Sequence, residues 1–349
     1  MLLNQPLAYL PPDLTHDASN LILRTYPVRA AMRVLTKLMG NLPYRPRLVN
    51  RVLDSPVGIG AGVDKDGLLV GLMANLPVGF HTIGSVTLRP RRGNPRPRMR
   101  RYPGLKAMVN AMGLPSRGFW FIREVLNGEC PRWPRGKLLG ISLAGFSEVE
   151  FKIMLDSLTP YLGCVDFIEI NVSSPTYGGS WVEPQRLSNL LRLLKRHDKV
   201  VVKVPLLPNV NDEVKVLKTI INHNPLGLTI ANTIMVKSDL PVGYGGVSGA
   251  PLLKIVTRLI KLTRGMGYGG LIIGLGGFMS GGDVLRGLGA GADLVGMVTA
   301  FAMEGPLSVY RVVNELRKLI AQRQLNTLNN PRRDSWQLFP IPDPGGKLS

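Results

Sequence analysis

Eight short apolar runs, separated by segments of helical periodicity, constrain what this chain can fold into more than any other feature. They are Val57-Gly-Ile-Gly, Phe80-His-Thr-Ile-Gly, Leu138-Leu-Gly-Ile-Ser, Phe167-Ile-Glu-Ile-Asn, Val200-Val-Val-Lys-Val, Gly227-Leu-Thr-Ile-Ala-Asn, Leu271-Ile-Ile-Gly and Leu294-Val-Gly-Met. Helical candidates stand between or after them at Leu187–Arg196, Glu213–Asn222, Leu252–Thr263, Gly282–Gly287 and Leu307–Ala321. Strand-like runs alternating with helices are the pattern of a parallel sheet, and eight of them suit a closed (β/α)₈ barrel. The 349 residues, 45% of them hydrophobic, are enough for such a barrel as one unit.

The flanks differ from the barrel region. Residues 1–45 read as an N-terminal helical extension, 46–321 as the barrel, and 322–349 as a polar, proline-containing tail outside it. In the extension, Thr15-His16-Asp17 suits a helix entrance, and a short helix runs to about Arg24 before Pro27 interrupts it. From Val28 to Met39 a second helix carries Arg29, Arg33 and Lys37 at four-residue spacing, beside Val34, Leu35, Leu38 and Met39. That pattern suits a basic helix lying on a membrane, and equally a helix packed on the barrel with its basic edge in water. No apolar run approaches the roughly 20 residues needed to span a bilayer. The start lacks the basic and apolar regions of a secretory signal, so a cytosolic or membrane-surface protein is expected. Cys130 and Cys164 form no metal-ligand spacing and no disulfide framework, and read as packing residues in a reducing compartment. The net charge of +20 favours an anionic partner without choosing among cofactor phosphate, carboxylate, nucleic acid and membrane.

Six of the runs finish in polar or glycine residues: Lys65, Ser85, Asn171 to Ser174, Lys203, Asn232-Thr233 and Gly276-Gly277. In a barrel these positions gather at the C-terminal mouth, where active sites sit. The stretch Gly274-Leu-Gly-Gly-Phe-Met-Ser-Gly-Gly-Asp283 follows a strand and precedes a helix, a place where backbone N–H groups can meet phosphate oxygens. Asn171-Val-Ser-Ser-Pro175 sets an amide beside hydroxyls able to exchange a proton, though it also suits an ordinary strand-ending turn. Lys65 and Lys203 can neutralise a carboxylate or a reduced flavin, or be surface lysines. Asn110 and Asn232 can hold the amide edges of a polar heterocycle, or form turns. With four histidines, no His-Glu-x-x-His and no Cys-His pair, metal-assisted hydrolysis and cysteine acyl transfer are poor expectations, and no metal is assigned.

Read in order, these segments resemble the dihydroorotate dehydrogenase family from about Thr15 to Leu319. The resemblance is carried by residues 56–67 (Pro-Val-Gly-Ile-Gly-Ala-Gly-Val-Asp-Lys-Asp-Gly), Gly84-Ser-Val-Thr, Gly93-Asn-Pro-Arg-Pro-Arg98, Val109-Asn-Ala-Met-Gly113 and Ile170-Asn-Val-Ser-Ser-Pro175. Val202-Lys-Val, Ala231-Asn-Thr233, Gly245-Gly-Val-Ser-Gly249, Ile272 to Gly277, Gly289 to Ala292 and Thr299-Ala continue it. Each piece is weak alone; the ordered series is specific. The resemblance implies oxidation of dihydroorotate to orotate in pyrimidine biosynthesis, with FMN as hydride acceptor. Ser174 matches the serine base of the quinone-linked class 2. Lys65, Asn110, Asn171, Asn232 and Thr233 match substrate contacts. Gly60, Ala61, Ser85, Lys203, Ser248, Gly249, Gly276, Gly277 and Thr299 match FMN contacts, with Asn110, Asn171, Ser142 and Val298 also at the flavin. Arg101 matches an arginine lining the quinone passage, and the N-terminal helices match the class 2 membrane-facing extension. Quinone is therefore the expected final acceptor, with peripheral attachment on the cytoplasmic side of a membrane; a soluble enzyme with a soluble acceptor is the variant.

The chain departs from the family pattern at Thr176 and Tyr177, where asparagine and threonine are usual, and at Leu114 for a phenylalanine. Ser142 is more like class 1, and Val298 replaces a class 2 tyrosine beside the flavin. Two other readings follow from the residues. The arginines between Arg89 and Arg101 and the charge suit a tRNA-dihydrouridine synthase relative, although Asn171-Val-Ser-Ser-Pro lacks that family's cysteine acid and Cys164 lies too early. A catalytically silent flavin barrel would suit the changed 176–177 pair. No nucleic-acid partner is expected.

Overall fold

The computed structural model describes residues 12–48, 51–174, 176 and 181–329. Helices α1 (Pro12–Leu23) and α2 (Tyr26–Met39) come first. Pro27 falls in the first turn of α2, where a missing N–H breaks no helical bond. The entrance expected at residues 15–17 therefore lies inside α1, which begins at Pro12.

A short antiparallel pair, β1 (Arg47–Leu48) and β2 (Arg51–Val52), leads into the alternating region. There follow β3 (Val57–Ile59), α3 (Val70–Met73), β4 (Phe80–Thr87), β5 (Met99–Tyr102), β6 (Ala107–Asn110), α4 (Phe119–Glu129), β7 (Leu138–Ala144) and α5 (Glu148–Asp156). Next come β8 (Phe167–Asn171), α6 (Pro184–Leu194), β9 (Val200–Val204), α7 (Val210–Asn222) and β10 (Gly227–Ile230). The described residues end with β11 (Ile234–Lys237), β12 (Tyr244–Gly249), α8 (Leu253–Gly265), β13 (Leu271–Leu275), α9 (Gly281–Gly289), β14 (Leu294–Met297), α10 (Thr299–Glu304) and α11 (Leu307–Asn329). Strands β3, β4, β7, β8, β9, β10, β13 and β14 pair in parallel and close into one barrel, β14 returning to β3. These are the eight apolar runs. Strands β7, β8 and β9 are buried at every residue, which is why they read as continuous apolar stretches rather than alternating ones. The last helix continues past Ala321 to Asn329.

Glycine sets the floor of the barrel. A side chain at Gly58 would strike the Phe80 ring at 2.2 Å, and one at Gly140 would strike Phe167 at 2.2 Å. The two rings meet edge to face with centroids 6.4 Å apart, packed with Leu53, Leu138, Val201, Ile273 and Leu294. Because inward residues recur every second position, the strand above Phe167 turns Glu169 and then Asn171 toward the axis. Val201 is followed in the same way by Lys203.

Two features were not expected from the sequence. Strands β5, β6, β12 and β11 form a four-stranded antiparallel sheet in the order β11-β12-β6-β5, built from the excursions that leave the barrel after β4 and β10. Cys130 and Cys164 are joined in a disulfide with Cα atoms 5.6 Å apart, which corrects the reading of two separate packing cysteines. The bond ties the end of α4 to the approach to β8; adjacent barrel units bring together residues that sequence spacing leaves 34 apart.

Helix α2 packs on the barrel. Arg33 Nε donates to Asn75 Oδ1 at 2.8 Å, Thr36 Oγ1 donates to Asn75 O at 2.7 Å, and the Arg29 guanidinium lies against Gly71. Arg29 is half-buried against the barrel, while Arg33, though bonded to Asn75, and Lys37 are exposed. The outward face is apolar: Val34, Leu35 and Leu38, continued by Leu21, Ile22 and Tyr26, are exposed.

Candidate active site

The polar strand ends converge on one cavity of about 340 Å³ at the C-terminal mouth, between the barrel, the antiparallel sheet and α1. Ser174, Lys65, Asn110, Asn171, Asn232 and Thr233 all line it, as do Ala61, Ser85, Lys203, Ser248, Gly249, Gly276, Gly277, Val298 and Thr299. Arg101 lines the side nearest α1, where its Nη2 donates to Thr15 Oγ1 at 2.8 Å. Two expected residues stand behind the wall rather than in it. Ser142 meets Ser85, Oγ to Oγ, at 2.8 Å, and Gly60 leaves room for Leu275, whose Cδ1 a side chain there would approach to 2.5 Å. Of the departures, Leu114 and Thr176 line the cavity and Tyr177 lies outside the described residues.

Hydrogen bonds fix the amides. Asn232 Nδ2 donates to Ser173 O and Oγ at 3.1 and 2.8 Å, and Ser173 Oγ donates to Asn171 Oδ1 at 3.0 Å. Asn171 Oδ1 also accepts from the Ser173 N–H at 3.2 Å, while its Nδ2 donates to Ser85 Oγ at 2.7 Å. With both lone pairs of Oδ1 used, Asn171 can offer a ligand only its second amide hydrogen. Asn110 is placed by the antiparallel sheet, its Nδ2 donating to Gly246 O at 3.4 Å. Ser174 Oγ accepts the Thr176 N–H at 3.3 Å.

Lys65 stands on the loop after β3, which is clamped to β4. The Gly62 N–H donates to Gly84 O and the Gly84 N–H to Asp64 O, both at 2.8 Å. The buried Asp64 carboxylate accepts the Leu69 N–H and meets His81 Nε2, each at 3.1 Å. Loss of water lowers the Lys65 pKa to about 8; Asp66 opposes the shift and Arg98 adds to it. Among the described residues no carboxylate lies within ion-pair distance of its ammonium.

A second lysine is handled differently. Lys203 Nζ lies 3.4 Å from Glu169 Oε1, and Glu169 Oε2 accepts the Thr229 hydroxyl at 2.7 Å. Glu169, Ser173 and the antiparallel sheet escaped the sequence reading. A charge inside the apolar run Phe167-Ile-Glu-Ile-Asn was the available signal for the first.

Glycines shape the wall opposite. Gly276 and Gly277 have φ of 119° and 90°, and a side chain at Gly277 would sit 2.4 Å from Leu253 N. Among the described residues no partner is found for the N–H groups of Gly277 or Thr299. At Gly249 a side chain would meet Lys106 O at 2.2 Å. Thr299 Oγ1 donates to Ser248 Oγ at 3.0 Å, holding β12 to the start of α10.

Residues 46–320 match the family model described as dihydroorotate dehydrogenase. The chain belongs to the dihydroorotate dehydrogenase family. It is 32% identical over 338 residues to the mitochondrial dihydroorotate dehydrogenase (quinone) of Mus musculus, covering 86% of this chain and 84% of the relative. The dihydroorotate dehydrogenase (quinone) of Burkholderia thailandensis is 32% identical over 330 residues, with 86% and 93% covered. The barrel superposes on the crystal structure of DHODH from Eimeria tenella in complex with ferulenol with a TM-score of 0.73, at 20% identity over 91% of this chain and 93% of that one. That likeness speaks to the fold, and with the closed parallel sheet it bears out the (β/α)₈ barrel. The family match and the relatives bear out the resemblance to the quinone-linked class. The family is one of flavin-dependent oxidoreductases.

Proposed function

We propose that this chain oxidises dihydroorotate to orotate with FMN as hydride acceptor, Ser174 as base and a quinone as final acceptor. The observation that carries the reading is the meeting of Ser174, Lys65 and three asparagines in the cavity whose opposite wall is the glycine-lined turn at Gly276 and Gly277. That turn suits a phosphate: positive φ and the absence of side chains leave the Gly277 N–H for its oxygens. Lys203 suits the electron-rich part of a flavin. FMN, when bound, supplies the hydride acceptor for C6 of the substrate.

The protein's own groups do the rest. Ser174 Oγ takes the C5 proton as it passes its own hydroxyl proton to solvent in the cavity, and the Thr176 N–H steadies the alkoxide character that develops on the oxygen while that hydroxyl proton leaves. Lys65, protonated below about pH 8, meets the substrate carboxylate. Asn171 presents a donor to a ring carbonyl, because its own oxygen is already satisfied. Asn110, Asn232 and Thr233 orient the remaining amide edges.

Residues 46–321 are the catalytic barrel in this reading, and residues 1–45 the extension that meets the cytoplasmic surface of a membrane. The described part of the 322–349 segment continues α11. Support for the membrane comes from the exposed Leu21, Ile22, Tyr26, Val34, Leu35 and Leu38 on α1 and α2, beside the cavity side where Arg101 and Thr15 meet. Among the described residues no helix is long and apolar enough to cross a membrane. Cys164, bonded to Cys130, offers no thiol for the uridine-reductase alternative.

Anaerobic mixing of dihydroorotate with the flavin-loaded protein tests the proposal. The wild type bleaches the flavin absorbance, and Ser174→Ala slows bleaching by about 10²–10⁴-fold, the usual contribution of a positioned base. A flavin left oxidised by the wild type would mean a different substrate.

A further inference from the structure

Glu169 is a buried carboxylate that the proposed chemistry does not use. It projects into the barrel one layer below Asn171, with its side chain 2% exposed. One carboxylate oxygen faces Lys203 Nζ at 3.4 Å and the other accepts the Thr229 hydroxyl at 2.7 Å. Lys203 is itself 5% exposed in its side chain, yet it lines the cavity. The ammonium thus has one side toward the site and a counter-charge on the other.

A barrel layer filled with apolar side chains would avoid the desolvation of both charges. Set 3.4 Å apart, the two opposite charges add no net charge to the layer. Their effect on anything in the cavity is that of a screened cation. Two-electron reduction makes a flavin an anion, so a screened cation stabilises the reduced form less than an isolated one would.

We propose that Glu169 is a positioning residue that sets the flavin reduction potential low by offsetting the charge of Lys203. The inference rests on the flavin reading above. In the absence of Glu169's charge, Lys203 would hold the reduced anion more strongly and electrons would leave it less readily.

The test is the midpoint potential of the FMN-loaded protein at pH 6.5, for wild type, Glu169→Gln and Glu169→Asp. Glutamine keeps the shape and an acceptor for Lys203 but removes the charge. Its potential should rise by about 30 mV or more, corresponding to at least a tenfold change in the two-electron equilibrium. Aspartate keeps the charge one methylene further back and should lie between wild type and glutamine. The ratio of FMN dissociation constants in the oxidised and reduced states, measured by flavin fluorescence and by absorbance titration, should change by the same factor. An unchanged or lower potential in Glu169→Gln overturns the inference, as does an aspartate shift equal to the glutamine one. If the glutamine variant yields no loaded protein, a fall or no change in aspartate overturns it. Failure of the wild type to bind FMN would instead overturn the flavin reading.

Discussion

At Ser173 a single hydroxyl decides how two asparagines face the cavity, since it accepts from Asn232 and donates to Asn171. Removing it costs each amide one bond, at about 1–3 kcal/mol, and leaves Asn232 held by Ser173 O and Asn171 by the Ser173 N–H and Ser85. Ser173→Ala should raise the KM for dihydroorotate about tenfold while kcat changes by less than about threefold; Ser173→Thr should restore KM. A parallel fall in kcat would mean the hydroxyl acts in the chemical step. Lys65 gives a pH signature of definite sign. Its pKa is lowered to about 8, so the ammonium is present below that pH and lost above it. KM should be flat below about pH 7.5 and climb above 8, and Lys65→Met should show a raised, flat profile. Residues such as Ser174 and Asn232 were legible because each ends an apolar run with a polar group. Ser173 was not, because its role is to hold other side chains and only the folded distances reveal it.

At the scale of elements, the barrel strands announced themselves and the antiparallel sheet did not. Strand β5 is Met99-Arg-Arg-Tyr102 and β12 is Tyr244-Gly-Gly-Val-Ser-Gly249. Short, polar or glycine-rich strands like these pair because the barrel brings two excursions together, not through any local periodicity. The disulfide is of the same kind: Cys130 follows α4 and Cys164 precedes β8, and their meeting belongs to the packing of neighbouring barrel units. Closing a loop of 34 residues should stabilise the fold by roughly 3–4 kcal/mol on a chain-entropy estimate. Reduction with dithiothreitol should lower Tm by roughly 5 °C or more, and the double variant Cys130→Ser, Cys164→Ser should show the lower Tm without reductant. Equal values for all three would assign the bond no stabilising role.

For the whole molecule, the apolar face of α1 and α2 and the net charge of +20 act together. Apolar burial and attraction to an anionic surface add, and only the second is screened by salt. Sedimentation with vesicles of anionic phospholipid should decline as salt rises without vanishing. Leu35→Glu with Leu38→Glu should weaken it at least tenfold at every salt concentration, since each buried leucine contributes about 1.5–3 kcal/mol. Vesicle binding indifferent to these two leucines would place the contact elsewhere. Beneath that face, the barrel floor has its own logic. Phe80 and Phe167 occupy space that Gly58 and Gly140 relinquish on neighbouring strands. Volume there is held in common, so enlarging one glycine is tolerable only if its phenylalanine shrinks. Two drifting copies of this barrel would therefore exchange those positions as couples, each half harmful until the other follows.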